Sequence, residues 1–133
     1  MSFTSDSSDS LLRRVILLDA AASGGMGLLF AAASLPLSRP LGLPPALLLG
    51  AGLFLVPFTA FLVWLARRPV LPRSLVAALV AGNALWAAAS FAIIPAGLVA
   101  PTTLGAIAVY GQAAAVVVLA TLEYGGLRRL RTA

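Results

Sequence analysis

Four long uncharged stretches divide the chain, and short segments rich in arginine, proline and glycine separate them. The first stretch runs from about Val15 to Leu35, where Pro36, which has no N–H donor, is expected to end a helix. The others cover about 45–66, 74–94 and 102–124. A helix rises 1.5 Å per residue, so about 20 apolar residues cross a hydrocarbon core of roughly 30 Å. The pattern predicts an all-α membrane four-helix bundle made of two helical hairpins.

The segments outside these stretches are short and polar. Residues 1–10 are rich in Ser and Asp and lack apolar periodicity, so we expect a disordered cytoplasmic tail whose last residues, Asp9 or Ser10, cap the first helix. Residues 11–127 form the four-span domain, and 128–133 are a basic cytoplasmic tail. No second domain is predicted.

Composition supports a membrane protein. Hydrophobic residues make up 61% of the chain and charged residues 10%, and mean hydropathy is +1.04. Soluble domains carry about 25% charged residues. A chain with so little charge could not cover a water-soluble surface.

The arginines give the expected orientation. All nine basic residues are Arg, and eight flank the spans on one side: Arg13, Arg14, Arg67, Arg68, Arg73, Arg128, Arg129 and Arg131. Cytoplasmic loops collect basic residues, so this distribution predicts a multi-pass protein of the bacterial inner membrane with both termini cytoplasmic. We interpret these residues as topology signals and contacts to anionic lipid headgroups.

Several classes of function have no support in the sequence. The basic pI near 11.5 comes from short clusters beside apolar spans, without the basic groove or interleaved aromatics of a nucleic-acid binder. The chain has neither Cys nor His, which removes thiol chemistry and the usual zinc and haem ligands. We therefore expect no cofactor, no metal, no nucleic acid and no enzyme activity.

Small residues spaced four apart predict close helix packing. Each of these pairs lies on one helix face: Ala20 and Gly24, Ala21 and Gly25, Ser23 and Gly27, Ala78 and Gly82, and Gly111 and Ala115. Lipid gives no hydrophobic drive for helix pairing, so close backbone contact at small residues supplies it. Packing within the chain is the favoured interpretation, and a homo-oligomer or larger membrane complex is the alternative. A phenylalanine stripe, Phe54, Phe58 and Phe61, is interpreted as core or lipid surface rather than a ligand platform.

Two carboxylates are the strongest functional candidates. Asp19 lies inside the arginine side of the first span, and Glu123 lies at the end of the fourth. A charge at membrane depth is costly unless paired or hydrated, and it is a functional candidate by default. Ion pairs with arginines of other helices, namely Arg67, Arg68, Arg73 or Arg128, are the favoured structural role. A proton-linked or cation-binding site is the alternative.

Two amides lie deeper, Asn83 in the third span and Gln112 in the fourth. Their comparable depth predicts a hydrogen bond between them that sets the register of the second hairpin. A polar pathway is the alternative, built from Asp19, Ser23, Asn83, Ser90 and Gln112. The indole of Trp86 lies too deep for an interfacial belt and needs an internal partner.

The sequence also resembles a known group of proteins. The carrying segments are Leu18-Asp-Ala20, Ser23-Gly24, Gly27-Leu-Leu29, Asn83-Ala-Leu-Trp86, Ala89-Ser90, Leu104-Gly105, Gln112, Leu122-Glu-Tyr-Gly and Leu127-Arg-Arg129. They resemble small uncharacterised bacterial four-span integral membrane proteins. This resemblance implies the four-span fold and brings no activity or site residue.

Four spans with an acid in the first also look like small multidrug resistance transporters. Two differences limit that likeness. Those transporters embed a Glu and have a weak charge bias, whereas Asp19 is near the interface here and the arginine bias is strong. The sequence therefore favours a non-enzymatic packing or accessory role in the membrane, and a small proton-linked transporter or channel subunit using Asp19 is the rival. An ion-paired Asp19 without a polar cavity would favour the packing role, and a water-filled cavity that reaches Asp19 would count against it.

Overall fold

The protein is all-α, with four helices in the part of the chain that the structure describes. The computed structural model describes residues 3–130, and side chains from residue 9 onward. In chain order the helices are α1 (Phe3–Leu41), α2 (Pro45–Ala66), α3 (Arg73–Ile93) and α4 (Thr103–Arg129). Each is long and apolar enough to cross a membrane, with α1 counted from Asp9. The predicted multi-pass membrane four-helix bundle is confirmed.

Helix boundaries differ from the expectation mainly at α1 and α4. The α1 helix starts at Phe3, so residues 3–10 are helical rather than a disordered tail, and Asp9 lies within the helix. An aspartate near the start of a helix is compatible with helical structure because its negative charge lies near the positive end of the helix dipole. Residues 1–2 and 131–133, including Arg131, lie outside the described residues.

Pro36 bends α1 but does not end it. Ala33, three residues earlier, has non-helical angles (φ −122°, ψ 27°), and the helix then resumes to Leu41. The proline ring clashes with the preceding turn, and the local kink relieves that clash. The helix ends at Leu41, and the next residue, Gly42, has a φ of 65°, a left-handed conformation that glycine adopts at little cost.

The helices pack as two antiparallel hairpins joined through α1 and α4. The pairs in extensive contact are α1 with α2, α3 with α4, and α1 with α4. All four helices meet in one apolar core near the arginine-bearing helix ends, which we call the closed half. Its members are Leu12, Ile16, Ala20, Leu62, Leu65, Ala66, Leu71, Val76, Leu79, Leu127 and Leu130.

Small residues divide into two groups. Gly27 and Gly52 bring α1 and α2 together, since a Cβ at Gly52 would lie 2.5 Å from the backbone nitrogen of Ala31. Gly82 and Gly111 instead face open space, because a Cβ added at either would meet no atom of the described residues within 4 Å. The predicted packing within the chain therefore holds at Gly27 and Gly52 of the α1–α2 pair, and it does not hold at Gly25, Gly82 and Gly111, which face open space.

Candidate functional site

A buried polar cluster joins α1, α3 and α4. The side-chain amide nitrogen of Asn83 donates to Asp19 Oδ2 at 2.8 Å and to Glu123 Oε1 at 2.7 Å. The exposed fractions of Asp19, Asn83 and Glu123 are 2%, 5% and 0%. Three helices thus place two carboxyl groups on the two hydrogens of one amide.

One further hydroxyl completes this set, which we call the carboxylate cluster (Asp19, Ser23, Asn83 and Glu123). Ser23 lies one turn after Asp19 on α1 and donates from its Oγ to Asp19 Oδ1 at 3.0 Å. The second oxygen of Glu123, Oε2, is buried and has no hydrogen-bond partner among the described residues. The cluster therefore offers fewer donors than its two carboxyl groups can accept.

The carboxyl groups of Asp19 and Glu123 do not form the expected ion pairs with arginines of other helices. Among residues 9–130, their hydrogen bonds come from Ser23 and Asn83. This result differs from the predicted ion pairs with Arg67, Arg68, Arg73 or Arg128. The reason is depth: Asp19 is six residues inside Arg13, and Glu123 six residues inside Arg129, or about 9 Å along each helix axis.

Two of the arginines bind backbone carbonyls instead. Arg13 donates to the carbonyls of Ala66, Arg68 and Pro69 at the end of α2. Arg73 donates to those of Leu127 and Leu130 at the end of α4. The last carbonyls of a helix have no partner within it, so a guanidinium with several N–H donors satisfies them.

The predicted hydrogen bond between Asn83 and Gln112 is wrong. Asn83 donates instead to the carboxyl groups of Asp19 and Glu123. Gln112 accepts from the indole nitrogen of Trp86 at 2.9 Å and donates to the Val109 carbonyl. The α4 helix continues five residues beyond its expected end at Tyr124, so Glu123 lies within the helix rather than in its last turn. The expected internal partner for Trp86 is thereby found in Gln112.

A cavity of about 400 Å³ lies directly against the carboxylate cluster. Asp19, Ser23 and Asn83 form its polar end, and the rest of its wall is almost entirely apolar. Phe54, Phe58 and Trp86 supply aromatic rings, with Phe54 stacked on Trp86 at 5.8 Å between ring centroids and on Phe58 at 6.0 Å. The sequence interpretation of the phenylalanine stripe missed this wall.

A second cavity of about 590 Å³ continues away from the arginine-bearing ends. It shares Ala22, Met26, Trp86 and Gln112 with the first, so the two are adjoining parts of one apolar space. Ser90 lies on its wall, and its hydroxyl donates to the Trp86 carbonyl one turn earlier. Ser90 and Gln112 therefore line the space but do not belong to the carboxylate cluster.

The spacing of acids and arginines is a sequence signal for the cluster. Asp19 and Glu123 are each six residues from an arginine near the end of their helix, and equal depth on packed helices favours contact. The spacing of acids and arginines does not indicate which side chain lies between Asp19 and Glu123. Among the described residues no three Asp or Glu side chains converge, so the acids do not form a metal-binding group of that size.

Two carboxyl groups held this close are chemically suited to share a proton or to bind a cation. The two carboxyl oxygens on Asn83 are separated by no more than the combined length of two hydrogen bonds, and all three residues are buried. Comparison with known proteins adds no identity to this geometry, since no family model, curated protein or solved structure matches the chain.

Proposed function

We propose that this multi-pass membrane protein is a small proton-linked carrier, in which the carboxylate cluster exchanges a proton for a cationic ligand held in the adjoining cavity. The observation that carries the proposal is the pair of buried carboxyls, Asp19 and Glu123, sharing one amide donor at the polar end of an apolar cavity. A purely structural pair would be expected to have an arginine partner. The role is non-enzymatic.

The first step of the mechanism is proton sharing. Two ionised carboxylates so close together in low-polarity surroundings repel each other, and one neutral amide neutralises neither. A single proton held between Asp19 and Glu123 removes most of that repulsion. The pair then carries one negative charge and still accepts hydrogen bonds from Asn83 and Ser23.

Among residues 9–130, no other charged group competes for this role. The α2 helix contains no titratable side chain, and the only one in α3 is Arg73. Arg73 and Arg13 are engaged with backbone carbonyls at the helix ends. On α4 the remaining titratable residues are Tyr110, Tyr124, Arg128 and Arg129, and on α1 they are Asp9, Arg14 and Arg39. Arg67 and Arg68 are exposed in the loop after α2.

The second step is exchange. A cationic group that reaches Asp19 from the cavity can replace the shared proton, so the site keeps the same net charge with either occupant. Proton and ligand therefore compete. Affinity for the cation should rise with pH, by up to about tenfold per pH unit while the free site holds its proton.

Binding of tetraphenylphosphonium tests the proposal. We expect the wild-type protein in lipid nanodiscs to bind this cation more tightly as pH rises, and Asp19→Asn to lose most of the affinity. Asp9→Asn is the matched control, since it removes the same charge outside the cluster. Equal binding by Asp19→Asn and the control would overturn the proposal.

We place the arginine-bearing ends on the cytoplasmic side of a bacterial inner membrane, with both termini cytoplasmic. The support is the arginine bias of the sequence, because translocating these charges is costly. Reporter fusions at the two termini should both give the cytoplasmic signal. A periplasmic signal from either terminus would contradict this orientation.

A packing or accessory role is the second candidate. The specific observation that favours it is the open helix surface at Gly82 and Gly111, where another membrane helix could approach closely. Purification in mild detergent distinguishes the two roles. A stable larger complex would support the accessory role, and a lone monomer or dimer would count against it.

A further inference from the structure

The cavity is closed at the arginine-bearing end of the bundle. Below the carboxylate cluster, apolar side chains from all four helices pack into the closed half, and Ile16, Leu62 and Val76 have no exposed surface. Arg13 and Arg73 join the helix ends outside this core. The described residues thus block the route of a ligand through this end.

At the opposite end of the bundle, the end of α1 is hydrogen-bonded to the residue that precedes α4. The Thr102 hydroxyl donates to the Pro40 carbonyl at 2.7 Å, and the Thr102 amide donates to the Leu41 carbonyl at 3.1 Å. Gly105 lies against the Leu41 carbonyl so closely that no side chain would fit. Leu41, Leu43 and Leu48 form a small apolar core beside this contact.

The side of the bundle between α2 and α3 is different. These helices are not among the extensively packed pairs. Phe54 of α2 and Leu85 of α3 line the cavity and are nevertheless 57% and 71% exposed. Gly82, one turn before Leu85 on α3, also lines the cavity, and a side chain there would meet nothing within 4 Å among the described residues.

We infer that the cavity opens sideways to the hydrocarbon phase between α2 and α3, through a portal bordered by Phe54, Gly82 and Leu85, and that its occupant is an amphiphilic monocation taken from the bilayer. Gly82 is nine residues into α3, about 14 Å from the helix start, so the portal lies near the middle of a bilayer of roughly 30 Å. A polar ligand would not reach this depth, whereas a membrane-dissolved one is already there.

The residues that line the cavity favour an amphiphilic monocation as its occupant. This assignment of the occupant rests on the proposed function. Asp19 supplies a negative group whose hydrogen bonds come from Ser23 and Asn83 rather than from an arginine. Phe54, Phe58 and Trp86 present aromatic faces, which attract cations and apolar groups alike. The adjoining space of about 590 Å³ is apolar and within the usual 300–1,000 Å³ of small-molecule pockets, so it suits a hydrocarbon body.

Quenching of Trp86 fluorescence by brominated lipid tests the portal without any ligand. The Trp64→Phe background leaves Trp86 as the one tryptophan, and phospholipids brominated near the middle of the acyl chain serve as the quencher. We expect strong quenching, most of which is lost in Gly82→Leu because the added side chain fills the portal. Gly111→Leu is the control, since Gly111 is equally open but lines neither cavity.

Ligand kinetics test the route separately. Gly82→Leu should slow both association and dissociation of tetraphenylphosphonium about tenfold, because the added side chain narrows the route into the cavity. Wild-type rates in Gly82→Leu, or Trp86 quenching that Gly82→Leu leaves unchanged, would overturn the portal. Failure of wild-type protein to bind the cation, with the quenching pattern intact, would instead overturn the occupant and the carrier function.

Discussion

The two halves of the bundle differ in how tightly their interior is packed: side chains fill one half, and cavities occupy the other. In the closed half, Leu12, Ile16, Leu62 and Leu65 come from two helices and are almost fully buried among each other. In the other half, Leu29, Leu47 and Trp86 border cavities of about 400 and 590 Å³. The carboxylate cluster lies where the two halves meet.

The hydrogen bonding of polar groups also differs between the arginine-bearing helix ends and the carboxylate cluster. At the arginine-bearing ends, guanidinium groups meet backbone carbonyls that a helix cannot satisfy itself, which is a stabilising use of charge. At the cluster, Asp19 and Glu123 share one donor and Glu123 Oε2 has none among the described residues. An incompletely satisfied buried group costs stability, and proteins retain such groups chiefly where they function.

Replacing the amide should have the largest effect. Asn83→Leu leaves Glu123 without a donor and Asp19 with Ser23 alone. We expect a loss of about 3–5 kcal/mol in the free energy of unfolding at neutral pH. Reversible unfolding in mixed detergent micelles would measure it. The control is the triple variant Asp19→Leu, Asn83→Leu and Glu123→Leu, which removes the buried carboxyl groups and should recover most of the lost stability. If the triple variant recovers no stability, the carboxylate cluster is not the cause of the loss.

The packing contrast predicts the next effect. Leu62→Ala removes a fully buried side chain from the closed half and should cost about 2–4 kcal/mol. Leu29→Ala, on the cavity wall and half exposed, should change stability by less than about 0.5 kcal/mol. The same unfolding assay compares them, and similar losses would mean that the two halves are packed alike.

A pair of glycines on α2 gives a smaller and better matched contrast. Gly52→Ala should cost about 1–3 kcal/mol because its Cβ would press on the α1 backbone. Gly50→Ala, two residues earlier and facing open space, should be neutral or stabilising by up to about 1 kcal/mol. A neutral Gly52→Ala would contradict the close α1–α2 contact.

Loss of one arginine link should have the smallest effect. Arg13→Gln removes donors from the carbonyls at the end of α2 and should lower the free energy of unfolding by about 1 kcal/mol. Arg14→Gln changes the net charge equally at an exposed neighbouring position and serves as the control. Equal effects would assign the loss to net charge.

The fold was largely predictable because hydropathy, helix length and arginine flanks all indicate the same four spans. The predicted bounds of α2, 45–66, coincide with those observed. The ends of α1 and α4 were less predictable, since Pro36 can either end a helix or kink it and the arginine flank of α4 is itself helical. Local sequence does not distinguish these outcomes.

The candidate site was predictable in its members and not in its contacts. Asp19, Ser23, Asn83 and Glu123 all stand out as polar residues in apolar spans. Their partners depend on helix rotation and on a register that changes with the true end of α4. The cavity was not predictable at all, because it arises from α2 and α3 packing closely only in the closed half.

The number of protons released when a cation binds tests the central claim most directly. Isothermal titration calorimetry of tetraphenylphosphonium near neutral pH, repeated in buffers with different enthalpies of protonation, gives that number for protein in nanodiscs. The account predicts release of about one proton per bound cation in the wild type and much less in Glu123→Gln, whose lone carboxyl has no partner with which to share a proton. Binding by the wild type without proton release would contradict it.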